Sequence, residues 1–127
     1  MSNREQLISL YKKYELTPEH VFKHKHYTII TRQGIDKIQA LAKIDITYET
    51  ISLDREFAVI KAIGLLDNRR VESYGEADRK TNCKNEYHIA MAEKRAMSRV
   101  VLKLTGFYAI DGVYGQDESE DFKKNQS

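Results

Sequence analysis

The sequence predicts an α+β protein in which helices pack on a three-stranded antiparallel meander, with a helix-β-β-β-helix core. Three features lead to this class. Residues 85–107 have the composition of one long helix, three consecutive segments between residues 44 and 77 have strand-like patterns, and two shorter helical patterns precede them. We expect residues 1–110 to form a single domain and residues 111–127 an acidic, flexible tail, since 127 residues suffice for one core.

Two helical patterns lie in the N-terminal third of the chain. Residues 3–14 carry apolar side chains at three- and four-residue spacing, and Ser2 or the residue after it is placed to cap the first turn. Thr31 caps a second helix over residues 32–42, whose apolar positions share one face. Residues 27–30 form a short β-rich run between them. The predicted order is therefore helix, short strand, helix.

Three histidines lie close together before this strand. His20, His24 and His26 are interspersed with Lys23 and Lys25. A structural zinc site requires ligands of suitable number and geometry, and no fourth ligand is evident. We therefore predict a basic surface loop here, and no metal site.

Three strand segments follow the second helix. Residues 44–49 alternate apolar and polar side chains, as a half-buried strand does. Residues 57–66 form a mostly apolar run rich in β-branched residues, and residues 71–77 are polar and weakly patterned, as in an edge strand. Turn-forming residues at 52–56 and 67–69 separate them. This order favours an antiparallel meander.

The longest helix is predicted over residues 85–107, with Asn85 as its N-cap and Gly106 at its C-terminal end. The helical period separates an apolar face from a face that carries cations. Glu93 is an exception on the apolar side, where it needs either a cation or a rotation of the helix. The side chains expected to face the core are Ile89, Ala90, Met97, Val100, Val101 and Leu104. Those expected to face solvent are His88, Ala92, Arg95, Arg99 and Lys103, with Lys94 on one flank.

The charge is unevenly distributed. The formal net charge is only +2, yet residues 69–103 contain nine Lys or Arg against five Asp or Glu, and residues 111–122 contain five acids and no base. Such asymmetry indicates an anionic partner for the first region. The single cysteine, Cys83, excludes an internal disulfide. The absence of a signal peptide and of a long apolar run predicts a cytoplasmic protein with no membrane association.

Catalytic motifs are missing from the sequence. It contains no P-loop, nucleophile elbow, HExxH zinc motif or dinucleotide-binding glycine fingerprint. Asp45 and Glu49 share one face of a predicted strand but would stand about 13 Å apart, too far for one metal ion. Cys83 lies beside Lys84 but has no evident base. We therefore predict a protein that is not an enzyme and needs no cofactor.

Binding of single-stranded nucleic acid fits the sequence better. Such a groove needs cations that follow the phosphates and flat side chains that receive bases. Tyr74, Tyr87 and Tyr108 are candidates for stacking. Without a clear aromatic platform, backbone contacts should dominate and make binding strongly salt-dependent. The predicted binding residues are Arg69, Arg70, Arg79, Lys80, Lys84, Lys94, Arg95, Arg99 and Lys103.

Residues 85–118 resemble the last core helix of small phage and prophage recombination proteins, the single-strand annealing and single-strand-binding proteins of the Rad-fifty-two and Erf type. In these proteins a polar loop leads into a helix with alanine, arginine, alanine, leucine and glycine in that order, followed by a short acidic segment. Residues 25–44, KHYTIITRQGIDKIQALAKI, resemble the strand and helix before the meander. The matching positions of the long helix are Ala92, Arg95, Ala96, Val101 or Leu102, and Gly106.

The resemblance implies a β-β-β-α core preceded by a helix, and subunits that assemble into rings or filaments. It also implies a basic groove that holds single-stranded DNA by its backbone and presents the bases for annealing, without ATP or a catalytic metal. Arg95, Arg99 and Lys103 would belong to this groove, so reversing the charge of Arg95 and Arg99 should weaken DNA binding and leave the fold intact. The chain is shorter than many members, which keeps plain single-strand binding open.

Two other functions share these features. A double-stranded RNA-binding domain is also α-β-β-β-α, although its cations cluster at the start of the last helix and here they run along its middle. A small protein-binding adaptor or regulator is the other alternative, in which the acidic tail would be the active part. The same tail could compete with DNA for the basic groove.

Overall fold

A computed structural model describes residues 2–80 and 87–118, and these residues confirm a mixed α+β architecture. None of the described helices is long and apolar enough to cross a membrane. Short 3-10 helices cover Pro18–His20, Phe107–Ala109 and Gln116–Glu118. The α-helices are α1 (Asn3–Lys13), α2 (Arg32–Ala42) and α3 (His88–Leu104). The strands are β1 (Val21–His24), β2 (Tyr27–Ile30), β3 (Asp45–Leu53), β4 (Phe57–Leu66), β5 (Arg69–Asp78) and β6 (Val113–Gly115).

The larger sheet is the predicted antiparallel meander, in the order β3-β4-β5. Ile60 on the central strand pairs with Thr50 of β3 and with Gly75 of β5. The register of β3 shifts between Thr50 and Ser52, which leaves Ile51 as an extra residue in a bulge. Side chains along β4 alternate between buried and partly exposed, so one face of this sheet is covered and the other faces solvent.

The smaller sheet was not predicted, and it corrects two expectations. Its order is β1-β2-β6, with β2 antiparallel to β1 and parallel to β6. The segment around His24 is therefore a strand and a turn, where a basic loop was predicted. The flexible tail predicted from residue 111 is wrong for residues 113–118, because β6 pairs with β2 and a 3-10 helix follows it. Residues 119–127 lie outside the described part of the chain.

The predicted helix caps of the N-terminal half are confirmed. The Ser2 hydroxyl accepts the backbone N–H of Glu5 at 3.1 Å, and the Thr31 hydroxyl accepts that of Gly34 at 3.1 Å. Such caps satisfy donors that the first turn leaves unpaired. Gly106 has φ +91°, as its place after α3 predicted. Asn85, the predicted cap of α3, lies outside the described residues.

Helix α3 packs on β4 and β5 through small side chains. A methyl group added at Gly75 would lie 2.0 Å from the carbonyl oxygen of Ala92 and 2.4 Å from the backbone nitrogen of Ala96. The backbones of helix and strand are therefore in direct contact, which no residue larger than glycine permits at this position. The covered face of the sheet consists largely of Ala58, Ala62, Gly64, Ser73, Gly75 and Ala77.

The predicted orientation of α3 is wrong over its first half. Arg95 is only 2% exposed and Ala92 is fully buried, whereas Ile89 is 44% exposed. Ala92 was expected to face solvent, but Ala92 and Ala96 form the stripe of small residues on which α3 contacts the sheet. Glu93 is exposed, so the rotation of the helix removes the need for a buried partner. The C-terminal half, with Val100, Val101 and Leu104 buried, is as predicted.

Candidate functional site

The predicted binding residues are distributed along β5 and α3. Arg95, Arg99 and Lys103 occur at four-residue intervals on α3, which packs beside β5. Arg69 and Arg70 begin β5, and Arg79 and Lys80 follow its end. Lys94 is on the solvent side of α3 and is exposed, and Lys84 lies outside the described residues. We call the row formed by Arg69, Arg70, Lys103, Arg99, Arg95, Arg79 and Lys80 the basic edge.

The two central arginines cover the free edge of β5, the edge that pairs with no strand among the described residues. The backbone N–H of Arg79 donates to the carbonyl oxygen of Glu56, just before β4. Because the backbone groups of successive strand residues point to alternate sides, the carbonyl groups of Tyr74 and Glu76 point away from β4. Arg99 donates to the Tyr74 carbonyl at 2.6 Å, and Arg95 donates to the Glu76 carbonyl at 2.7 Å. These bonds use acceptors that an uncovered edge would offer to another strand. Both arginines therefore stabilise the fold itself.

Arg99 is also held by two carboxylates. Its terminal nitrogens contact both oxygens of Glu76, at 3.1 and 3.2 Å, and its Nε donates to Glu118. Burial by itself lowers the pKa of Arg99, but the hydrogen bonds and charges of Glu76 and Glu118 outweigh burial and raise that pKa above its ordinary value. Paired guanidinium and carboxylate forks of this kind combine charge with fixed geometry. Arg99 is thus an oriented cation at the middle of the basic edge.

No local pattern in the sequence indicates that Arg32 and Ser98 belong to this region. Ser98 donates its hydroxyl to Asp117 at 2.7 Å, and the backbone N–H of Arg32 donates to the side chain of Gln116 at 2.9 Å. One terminal nitrogen of Arg32 lies 3.6 Å from the Asp117 carboxylate, and this buried atom makes no hydrogen bond within the described residues. Residues 116–118 thus join the start of α2 to α3. Only long-range packing brings these parts together.

The outer cations of the basic edge have weaker partners. Lys103 donates to the Ser73 hydroxyl at 2.9 Å, and Arg70 pairs with Glu72 at 2.7 Å on the exposed side of the sheet. Arg79 reaches the hairpin between β3 and β4, where it donates to the carbonyl of Arg55 at 3.4 Å. The Arg70–Glu72 contact is an exposed ion pair, which contributes little to stability, so Arg70 can exchange partners at low cost.

The three candidate stacking residues differ in exposure. Tyr74 is 50% exposed on β5, and Tyr87 is 72% exposed just before α3. Tyr108 is half-buried and makes an edge-on contact with Tyr114, with ring centroids 6.5 Å apart. Burial, followed by the charge of Glu118, raises the pKa of Tyr108 well above its ordinary value. Tyr74 is therefore the tyrosine of this set that lies both exposed and on the basic edge.

The carboxylates that were considered for catalysis do not form a metal site. Glu49 pairs with Lys61 at 3.2 Å on the uncovered face of the meander, the face that Asp45 shares by register. Within residues 2–80 and 87–118, no group of three or more His, Cys, Asp or Glu residues is arranged to hold a metal ion. In comparisons with known proteins, the chain matches no protein-family model, no curated protein and no solved structure. The resemblance to recombination proteins therefore stays a prediction.

Proposed function

We propose that this protein binds single-stranded DNA along the basic edge and promotes strand annealing. The observation that carries the proposal is the alignment of the cations: Arg95, Arg99 and Lys103 lie beside β5, and two further pairs lie at its ends. Ten residues of extended strand span about 33 Å, so this row is long enough to follow several nucleotides of an extended single strand.

Binding along this edge would depend chiefly on the DNA backbone. Arg69, Arg70, Arg79 and Lys80 present charge at the two ends of the edge, while the central arginines are fixed by protein partners. Tyr74 lies between the two ends and is half exposed, so it can receive a base. Base stacking tolerates any sequence, and phosphate contacts carry no sequence information. We therefore expect weak sequence preference, and annealing that requires neither ATP nor a metal.

The test is fluorescence anisotropy with labelled single-stranded DNA, double-stranded DNA and double-stranded RNA, each at low and high salt. A preference for single strands that falls steeply with salt supports the proposal and leads to an annealing assay with complementary oligonucleotides. A preference for duplex RNA would favour the double-stranded RNA-binding alternative. Absence of binding to all three would reject nucleic-acid binding and favour the adaptor alternative.

The proposal includes assembly into a homo-oligomer, and the other edge of the meander supports it. Within the described residues, β3 pairs only with β4. Three large apolar side chains of β3 are exposed: Tyr48 by 41%, Ile51 by 50% and Leu53 by 51%. A nine-residue edge strand with exposed apolar groups is a favourable site for pairing with another chain. The β5 edge, in contrast, is already occupied by arginines.

The occupant that fits the β3 edge is β1 of a second copy. β3 carries Asp45 and Glu49 and no base, so its pairing with another β3 would bring like charges together. β1 is an edge strand of the small sheet, exposes Phe22 by 38%, and carries Lys23 in a hairpin with Lys25. Pairing of β3 with β1 would join two different surfaces. Repetition of such a contact generates a ring or a filament.

A further inference from the structure

The segment Gln116–Glu118 is held by side-chain contacts that resemble those of a bound anion. Asp117 accepts from the Ser98 hydroxyl and lies beside Arg32, and Glu118 accepts from Nε of Arg99. We infer that Arg32, Ser98 and Arg99 form a phosphate-binding site for the DNA backbone, which Asp117 and Glu118 fill in the same chain. This inference rests on the proposed function and adds a site that includes two residues outside the basic edge.

The donors around Asp117 and Glu118 suit a phosphate group. They are the Ser98 hydroxyl, the guanidinium groups of Arg32 and Arg99 and, at the start of α2, a backbone N–H that now bonds to Gln116. Guanidinium groups bind carboxylates and phosphates with the same fork geometry, and the first turn of a helix also favours negative charge. A phosphodiester could therefore use the donors that the two carboxylates now occupy.

One donor in this region is incompletely used. The buried nitrogen of Arg32 is 3.6 Å from Asp117 and makes no hydrogen bond among the described residues. Buried donors without a partner are costly, so the carboxylate of Asp117 is an imperfect occupant at this position. A phosphate offers more acceptor oxygens around one centre than a carboxylate does. It could accept from Arg32 and Ser98 together.

The acidic segment can be released without loss of the strand before it. β6 is anchored through pairing of Ile30 with Gly115 and of Thr28 with Val113, and Val113 is 3% exposed. Asp117 and Glu118, in contrast, pair with none of the described strands: their carboxylates accept from Ser98 and Arg99, and the Asp117 carbonyl accepts from Nε of Arg95 at a longer 3.4 Å. A polyanion present at high local concentration could therefore displace them and leave the core intact. The carboxylates would then weaken binding by competition.

The experiment compares wild-type protein with Asp117→Asn/Glu118→Gln, which keeps the size of both side chains and removes their charge. We expect the variant to bind labelled single-stranded DNA about tenfold more tightly, the equivalent of one charge-assisted hydrogen bond. Glu5→Gln/Glu15→Gln is the matched control, because it makes the same change in net charge at exposed sites in and just after α1, away from the proposed site. Equal tightening in both variants would overturn the inference, as would no tightening in the first.

A second readout does not depend on DNA. Inorganic phosphate should raise the melting temperature of Asp117→Asn/Glu118→Gln more than that of the wild type, and adding Arg32→Gln should abolish the difference. If the double variant fails to fold, Asp117→Asn alone keeps the Arg99–Glu118 contact and serves in its place. Phosphate stabilisation without DNA binding would reject the proposed function and retain the anion site. DNA binding with neither tighter binding by the variant nor its greater stabilisation by phosphate would reject the phosphate site and retain the proposed function.

Discussion

Arg99 and Glu76 make a two-point contact across the free edge of β5, with nitrogen–oxygen distances of 3.1 and 3.2 Å. One turn earlier on α3, Arg95 bonds to the carbonyl oxygen of the same residue at 2.7 Å. Glu76 therefore fixes both central cations of the basic edge. These two cations stabilise the fold and also belong to the proposed site. A variant at either position must therefore be tested for folding before a change in its DNA binding is interpreted.

Charge reversal of Arg95 should destabilise the protein. Arg95→Glu places a carboxylate beside the Glu76 carbonyl at a 2% exposed position, where breaking a buried polar pair costs about 3–5 kcal/mol. Lys94→Glu, at the exposed neighbouring position, should change stability by no more than about 0.5 kcal/mol. Urea unfolding followed by circular dichroism measures both. A stable Arg95→Glu protein would restore the orientation of α3 that the sequence predicted.

Gly75→Ala should be strongly destabilising. The added methyl group would lie 2.0 Å from the Ala92 carbonyl oxygen, which belongs to the helix backbone and cannot move alone. Overpacking of this kind costs about 1–3 kcal/mol or more. Thr47→Ala, on the exposed face of β3, is the comparison variant. Equal melting temperatures for the two variants would contradict the close contact of α3 with β5.

DNA affinity should depend on the cations at the ends of the basic edge. Arg79→Ala/Lys80→Ala should weaken binding of single-stranded DNA and reduce the salt slope by about 1.4, since each phosphate contact contributes about 0.7 for single strands. Stability should be unaffected. Arg4→Ala/Lys12→Ala removes the same charge from the exposed face of α1 and is the control. Anisotropy titrations at several salt concentrations measure the slopes, and equal slopes for both variants would place the DNA elsewhere.

The proposed subunit contact can be tested by substitution and cross-linking. Ile51→Lys should reduce the assembled state in light scattering, whereas Leu41→Lys, at a similarly exposed position of α2, should not. In a Cys83→Ser background, a short bismaleimide should join Phe22→Cys to Ile51→Cys only when both proteins are mixed. Cross-linking of Ile51→Cys with itself would instead show pairing between two β3 strands. A monomeric wild-type protein would reject the contact.

Alkaline pH should unfold the protein partly through Tyr108. Burial raises the folded-state pKa of Tyr108 above the ordinary value near 10.0, so the folded state holds this proton more tightly than the unfolded state does. The stabilisation is complete below about pH 10 and is lost as the pH rises further. Tyr108→Phe should flatten the fall in melting temperature above pH 10, and Tyr87→Phe, at a 72% exposed position, should not.

Local sequence patterns predict the positions of most helices and strands. The caps at Ser2 and Thr31, the three strands of the meander and the glycine that ends α3 follow from interactions within a few residues, and local patterns record such interactions. The small residues of β4 and β5, with Ala92 and Ala96, also contained the signal for close helix–sheet contact. The hydrophobic period predicted a different buried face, because alanine side chains are much less apolar than Ile89 and Met97 and contribute little to the pattern.

The partners of the cations on α3, in contrast, depend on long-range packing. Gly75 admits the backbone of α3, and this contact sets the rotation that buries Arg95 and directs Arg99 to Glu76. The pairing of Ile30 with Gly115 then carries Asp117 to Ser98. Such contacts join residues far apart in the chain, so they depend on packing and leave no periodic trace in the sequence.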